Sequence, residues 1–194
     1  MSAAPRVILL DSCAYFRLGQ SLHPLLFGTF GPPPPFSLYV LAILDQEYLT
    51  SSRLRNKFEW VHAPEYIKDR ASKRYTCRGK GTAEVDTAFS YLAGYARENS
   101  LRLAPEDLRA LAVAFARAFV LVSDDRGVQQ TASAHGIECW TSLKLLKLML
   151  DNDRITSEKL IEIVEFWDYQ DDLPCAKHTL RKDFRELFGF DCPI

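Results

Sequence analysis

The chain has 194 residues and a net charge of −1, and 47% of its residues are hydrophobic and 25% charged. This composition is that of a globular protein large enough to bury a core, and it excludes a disordered or fibrous chain. No apolar run is long enough to cross a bilayer, and the first one meets Asp11 too early to be a signal peptide.

The five cysteines are odd in number and irregularly spaced, and no CxxC pair or export signal accompanies them. They therefore predict a reduced, cytoplasmic protein. Cys175, His178 and Cys192 could be imagined as zinc ligands, but the second ligand pair that closes a tetrahedral site is missing. We interpret them as ordinary side chains.

Residues 6–10 (RVILL) form a short apolar run that predicts a fully buried strand, with Asp11 at its C-terminal end. A helix can follow through Leu18. Gly31 and the four prolines after it then require an extended connector, because proline excludes both helix and sheet hydrogen bonding.

Residues 36–44 predict a second strand that runs into a helix carrying Asp45 and Glu47. The polar segment 53–80 is predicted to be helical until the glycines at its end break it. Residues 83–98 have apolar side chains near helical spacing, so they predict an amphipathic helix that covers one face of a sheet.

From Ala104 onward the pattern is helix, strand, helix, strand, helix. Pro105 starts a nearly all-apolar helix, the run FVLV is a strand, the next helix ends at Gly136, residues 137–140 form a strand, and Ser142 caps the last helix. This alternation predicts an α/β fold with three α/β/α layers, a central parallel sheet and an added C-terminal helical tail.

Ligands of such sheets bind at the carboxyl edge of the strands. Asp11 and Asp125 both follow apolar strands, and Asp107 opens the helix that leads into the second of these strands. Each acid alone has an ordinary structural interpretation as a helix cap, a helix-dipole partner or a turn residue. Several acids at one edge repel each other unless a cation compensates, and oxygen ligands favour Mg²⁺ or Mn²⁺.

The segments VILLDS, PEDLRALAVAFA and FVLVSDDRGVQQTASAHGIECWTS, with a glutamate in the second helix, resemble the PIN-domain nucleases, the family of VapC-type toxins. The resemblance covers residue 6 to about residue 152. It implies that the catalytic carboxylates are Asp11, Glu47, Asp107 and Asp125. It further implies that Ser12, Ser123 and Asp124 support them and that Asp11, Asp107 and Asp125 hold Mg²⁺ or Mn²⁺. Asp45 could replace Glu47, and Asp124 could replace Asp125.

We predict a PIN-like nuclease domain at residues 1–152, with a basic helical insertion at about 53–81, and a C-terminal helical extension at 153–194. Residues 53–80 hold nine Lys or Arg against three acids, and residues 151–172 hold eight acids against two bases. The acidic segment is interpreted as a helix packed on the domain or as a nucleic-acid mimic that covers the basic segment.

The basic segment interleaves its charges with aromatic residues, which suits phosphate contact and base stacking. Over most of its length a solvated amphipathic helix is an equal interpretation. We predict RNA contacts at its glycine-rich end, from Lys73, Arg74, Arg78 and Lys80.

The predicted function is a Mg²⁺-dependent endoribonuclease that leaves 5′-phosphate and 3′-hydroxyl ends, as the resemblance implies. An antitoxin protein and a second copy of the chain are candidate partners, and no membrane is involved. The alternatives are a stand-alone RNA-processing or defence nuclease and an inactive module that only binds RNA or protein. A phosphatase or phosphotransfer domain is disfavoured, because the residues DSC after the first strand are not the motif DxD and the sequence has no phosphate-binding glycine loop.

Overall fold

The computed structural model describes residues 4–194. Its five strands are β1 (Arg6–Leu10), β2 (Phe36–Leu41), β3 (Arg74–Tyr75), β4 (Val120–Val122) and β5 (Cys139–Trp140). They form one parallel sheet in the order β3-β2-β1-β4-β5.

Helices connect the strands and follow the last one. They are α1 (Ser12–Gly19), α2 (Ile43–Thr50), α3 (Ser52–Lys57), α4 (Pro64–Ser72), α5 (Lys80–Glu98), α6 (Pro105–Arg117), α7 (Arg126–Ala134), α8 (Ser142–Asp151), α9 (Ser157–Tyr169) and α10 (Lys177–Phe188), with one 3₁₀ turn at Glu59–His62. No helix in the described part of the chain is both long and apolar enough to span a membrane.

The sheet is buried on both faces, as the run RVILL predicts. Ile8 and Leu10 pack into one hydrophobic cluster, together with α1, α8, α9 and α10. Leu9, between them, packs into a second cluster with α5, α6 and α7. Because successive side chains of a strand point to opposite faces, both faces of β1 must be covered by helices. The predicted three-layer α/β/α architecture with a helical C-terminal tail is confirmed.

The strand order places a reversal of the chain beside β1. The chain moves from β1 to β2 and β3 on one side, and then crosses over to β4 on the other. Leu10 pairs with Val122, so Asp11 and Ser123 leave the sheet side by side. Helix α6 leads into β4 and therefore begins at this same edge, which is where open α/β sheets bind ligands.

The basic segment differs in part from its prediction. Residues 53–72 are mostly helical, as predicted, but they are divided into α3, the 3₁₀ turn and α4, and the two-residue strand β3 then follows before α5 begins at Lys80. A strand of two residues leaves no periodic signal in the sequence, and its pairing with β2 depends on tertiary contact.

Thr141 rather than Ser142 caps α8, through a hydrogen bond from the Lys144 amide at 3.1 Å.

The C-terminal helices are part of the main core. Leu160, Ile163 and Trp167 of α9 and Phe184 of α10 belong to the same cluster as β1. The Trp167 indole also donates a hydrogen bond to the Arg17 carbonyl at 3.2 Å. The acidic segment meets the basic one through Lys57, which donates to Asp172 at 2.8 Å. Packing thus accounts for its apolar residues.

This packing predicts that Trp167→Ala lowers the free energy of unfolding by about 3–5 kcal/mol, because it empties a buried aromatic site. Tyr169→Ala, two residues later, should change it by less than about 0.5 kcal/mol, since Tyr169 is 82% exposed and Trp167 only 1%. Urea unfolding measures both. Equal effects of the two substitutions would contradict the packing of α9.

Candidate active site

Asp11 ends β1 and begins α1. Its amide donates to the Val122 carbonyl at 3.0 Å, and its Oδ1 accepts from the Ala14 amide at 2.6 Å as the N-cap of α1. The residue is only 6% exposed. Both the strand pairing and the helix cap therefore hold this carboxylate in place.

Burial raises the pKa of Asp11 to about 7, and the nearby carboxylates of Asp124 and Asp107 contribute to the rise. Hydrogen bonds from the Ser123 hydroxyl and the Ala14 amide partly oppose it. The Asp11 carboxyl thus lies within electrostatic reach of acids from β4 and α6.

Ser123, Asp124 and Asp125 form the turn between β4 and α7. Asp125 caps α7, with its Oδ1 accepting from the Val128 amide at 2.9 Å, and its own amide donates to the Ser123 hydroxyl at 3.2 Å. The cap uses one carboxylate oxygen of Asp125 and leaves the other to a ligand.

Asp124 has a different environment from Asp125. It forms an ion pair with Arg17, and its Oδ1 accepts from the Ser142 amide at 2.9 Å. The side chains of Arg17 and Asp124 are 10% and 6% exposed. Because Arg17 and α8 already satisfy Asp124, the geometry favours Asp125 as the acid available to a ligand.

The first turn of α6 contributes Asp107. Its Oδ2 accepts from the Ala104 amide at 2.9 Å, which fixes the start of the helix. Burial raises the pKa of Asp107, and the charges of Asp125 and Glu106 raise it further, against the effect of the Ala104 amide. The charge of Asp107 thus interacts with the charges of both Asp11 and Asp125.

Glu47 of α2 faces the same acids, whereas Asp45 does not. Burial raises the pKa of Glu47, with further contributions from Glu106 and Asp107, while a hydrogen bond with Ser12 lowers it. Its Oε2 is buried and has no hydrogen-bond partner in the described part of the chain. Asp45 instead pairs with Arg70 at 3.0 Å and with Arg74. Glu47 is therefore the α2 acid that the structure brings to the site.

The four predicted carboxylates have no ion-pair partner among residues 4–194. Asp11, Glu47, Asp107 and Asp125 take part in none of the ion pairs there. Within that range no three acidic, histidine or cysteine side chains are already placed to hold one ion between them.

These residues nevertheless suit Mg²⁺ or Mn²⁺. Mg²⁺ usually keeps several water ligands and binds through one or two carboxylates, so a preformed set of three is not required. The buried, unpartnered Oε2 of Glu47 and the desolvated Asp11 carboxyl are the groups that a cation would stabilise. Oxygen donors of this kind favour hard cations over zinc.

The predicted RNA-binding residues divide into two pairs. Lys73 donates to the Ser37 hydroxyl at 2.7 Å and lies over the Tyr39 ring, and Arg74 pairs with Asp45. Arg78 and Lys80 are exposed, and they follow β3 at the carboxyl edge of the sheet.

Three aromatic residues of the basic segment are partly buried and pack against other aromatic rings. The Phe58 ring stacks on Phe16 at 5.2 Å, and the Trp60 ring lies 4.6 Å from Tyr66 and 5.8 Å from Tyr15. Base stacking on the exposed parts of these rings stays a prediction. The rings join α3, α4 and the 3₁₀ turn to α1.

Two residues of the site were missed in the sequence. Glu106 lines the cleft beside Asp11 and Asp107, and its charge acts on both Glu47 and Asp107. Its position beside Asp107 in the motif PED was a usable signal. Arg17 lies in α1, far in sequence from its partner Asp124, so no local pattern pointed to it.

No protein-family model matches the chain, and a search of curated proteins gave no significant match. Among solved structures, FitAcB from Neisseria gonorrhoeae is 15% identical with a TM-score of 0.47, over 70% of this chain and 97% of that one. DNA-bound VapBC from Salmonella typhimurium is 10% identical with a TM-score of 0.43, over 71% and 98%. VapBC2 from Rickettsia felis, bound to a promoter fragment, is 12% identical with a TM-score of 0.42, over 70% and 98%. Similarities this low establish neither family nor function.

The buried Asp11 predicts a pH-dependent stability. Its pKa is about 7 in the folded protein and near 3.8 in the unfolded chain, so wild-type protein without divalent cations should lose stability as the pH rises from about 4 to about 7. Asp11→Asn removes this ionisation and keeps the helix cap. At pH 8 the variant should be more stable than wild type by roughly 2–4 kcal/mol, and near pH 4 the difference should vanish.

Urea unfolding in EDTA at several pH values measures this difference. Asp153→Asn is the matched control, because Asp153 is exposed and has no ion pair among the described residues. Its stability curve should run parallel to that of wild type. A constant offset between Asp11→Asn and wild type at all pH values would show that the buried charge is not its source.

Proposed function

We propose that the chain is a metal-dependent endoribonuclease that hydrolyses phosphodiester bonds in RNA. The observation that carries this proposal is the group of carboxylates from Asp11, Glu47 and Asp107, partly or fully buried and without an ion-pair partner among residues 4–194, at the point where the strand order reverses. Without a bound cation, such a group of carboxylates destabilises the folded protein. It is therefore expected at a site that binds a cation and a substrate. The sequence motifs that resemble PIN-domain nucleases support the same reaction.

Asp11, Asp107 and Asp125 would hold Mg²⁺ or Mn²⁺, directly or through water. When bound, such an ion neutralises charge on the phosphate and makes a nearby water more acidic. Ser123 orients this set, because its hydroxyl bonds both the Asp11 carboxyl and the Asp125 amide. Asp124 supports this set of carboxylates indirectly, because its contacts with Arg17 and Ser142 hold the turn that also carries Asp125.

Glu47 would position the attacking water and accept its proton. Burial raises the pKa of Glu47, and a carboxylate with a higher pKa is a stronger base. A stronger base accepts a proton more readily from the water that attacks phosphorus. Ser12 interacts with the Glu47 carboxyl and lowers its pKa, against the effect of burial.

RNA as the substrate rests on the resemblance and on the exposed cations Arg78 and Lys80 beside the site. An antitoxin partner, a homodimer and a stand-alone role in RNA processing or defence stay predictions. An inactive binding module is the alternative that the cleavage experiment distinguishes.

Asp11→Asn and Asp125→Asn should each lower cleavage of single-stranded RNA in Mg²⁺ by about 100-fold or more, because each removes a charge that would hold the cation. Asparagine preserves both helix caps, so the variants should fold. Rates are measured by gel with Mg²⁺ and with EDTA, after circular dichroism confirms folding.

Asp153→Asn is again the control and should cleave RNA like wild type. Mn²⁺ should also raise the melting temperature of wild type and of the control, because an ion that binds only the native state stabilises that state. It should not raise the melting temperature of Asp11→Asn, which lacks one of the charges that would hold the ion. Undiminished cleavage in either site variant would reject the carboxylate site.

The double substitution of Arg78 and Lys80 by alanine should weaken RNA binding at low salt and make its salt dependence shallower by about 1.4 in log–log slope. The reason is the loss of two phosphate contacts. Fluorescence anisotropy at several salt concentrations measures the slope.

Lys147 and Lys159 provide the matched control, because both pair with acids of their own helices. Replacing them by alanine should leave the slope unchanged. An unchanged slope in the Arg78 and Lys80 variant would place the RNA-binding surface elsewhere.

A further inference from the structure

A groove adjoins Asp125 on the side away from Glu47. One wall is formed by the start of α7, with Arg126 and Gln129, and by Thr141 before α8. The opposite wall comes from the C-terminal helices, with residues 174–176 and Asp183 of α10. The groove has a volume of about 460 Å³, which is room for a nucleotide.

The opposite wall is attached firmly to the site. Arg17, which pairs with Asp124, also donates to the Asp172 carbonyl at 2.9 Å through Nε. Lys57 donates to the Asp172 carboxylate at 2.8 Å. These contacts lie immediately before residues 174–176, so they connect this wall to the turn that carries Asp124 and Asp125.

The side chains along the groove differ from wall to wall. Arg126 is exposed next to Asp125 and suits a phosphate, and the partly exposed Pro174 offers apolar surface. Asp183 lies across the groove and takes part in none of the ion pairs among residues 4–194. Burial raises the pKa of the Cys175 thiol, and the charge of Asp183 raises it further, so the Asp183 carboxylate lies near Cys175 in this lining.

A carboxylate in this position repels phosphate, so a bound nucleotide must present another group to it. Asp accepts hydrogen bonds from the amino group of cytosine. In uracil a carbonyl oxygen replaces that amino group, and a carboxylate repels it. The two pyrimidines have the same size, so only this hydrogen-bonding edge distinguishes them.

We infer that the groove is a nucleobase subsite in which Asp183 accepts from the exocyclic amino group of the base next to the cleaved phosphate. This inference rests on the proposed nuclease function and names part of its substrate specificity. Arg126 contacts the phosphate, and Pro174 contacts one face of the base. The C-terminal extension is then a specificity element of the enzyme.

The test compares fluorescein-labelled rC8 and rU8 at pH 7.5 in EDTA, where binding is measured by anisotropy without cleavage. Wild type should bind rC8 roughly tenfold more tightly than rU8. Asp183→Asn should reduce this ratio to within about twofold, because an amide can turn to donate to uracil. Glu186→Gln, on the same helix and outside the groove, is the control and should keep the wild-type ratio.

A parallel assay of RNA cleavage in Mg²⁺ separates the two proposals. Cleavage by wild type together with an equal ratio in wild type and Asp183→Asn would overturn the subsite and leave the nuclease function standing. No cleavage of any RNA by folded wild type would overturn the nuclease function and the subsite together. A cytosine preference that Asp183→Asn alone loses would support the subsite.

Discussion

The burial of the Asp11 carboxyl at the end of the central strand constrains the surrounding structure. β1 is paired on both sides, and the backbone that leaves it is bound to the Val122 carbonyl and enclosed by α1. A carboxyl in this position either keeps its proton or needs a cation, because desolvation penalises the charged form. Glu47 and Asp107 share this condition, since their charges and those around them raise one another's pKa.

Neighbouring acids in the chain have opposite roles for electrostatic reasons. Asp124 and Asp45 each have an arginine partner, so their charges are neutralised within the protein. Asp125 and Glu47, one and two residues away, have none among the described residues. An acid that pairs with an arginine stabilises the structure around it. An acid without such a partner can bind a ligand instead. The same principle separates Lys73 and Arg74, which have internal contacts, from Arg78 and Lys80.

The C-terminal extension is joined to both the core and the site. Its apolar residues complete the cluster on one face of the sheet, and Asp172 meets Arg17 behind the turn that carries Asp125. Its acidic charge is partly used in these contacts. The same helices form one wall of the groove beside Asp125, so the segment that stabilises the fold also limits the space next to the site.

The sequence alone determined the strands β1 and β4, the helices around them and the acids that follow them, because apolar runs, helix starts and strand-end acids are local patterns. It could not decide between Asp45 and Glu47 or between Asp124 and Asp125, since both members of each pair are acids in the same element. It also missed β3, Arg17 and the packing of Phe58, Trp60 and Tyr66. Only the tertiary structure decided these points, because a charge is neutralised, a short strand is paired and an aromatic ring is packed by residues distant in the chain.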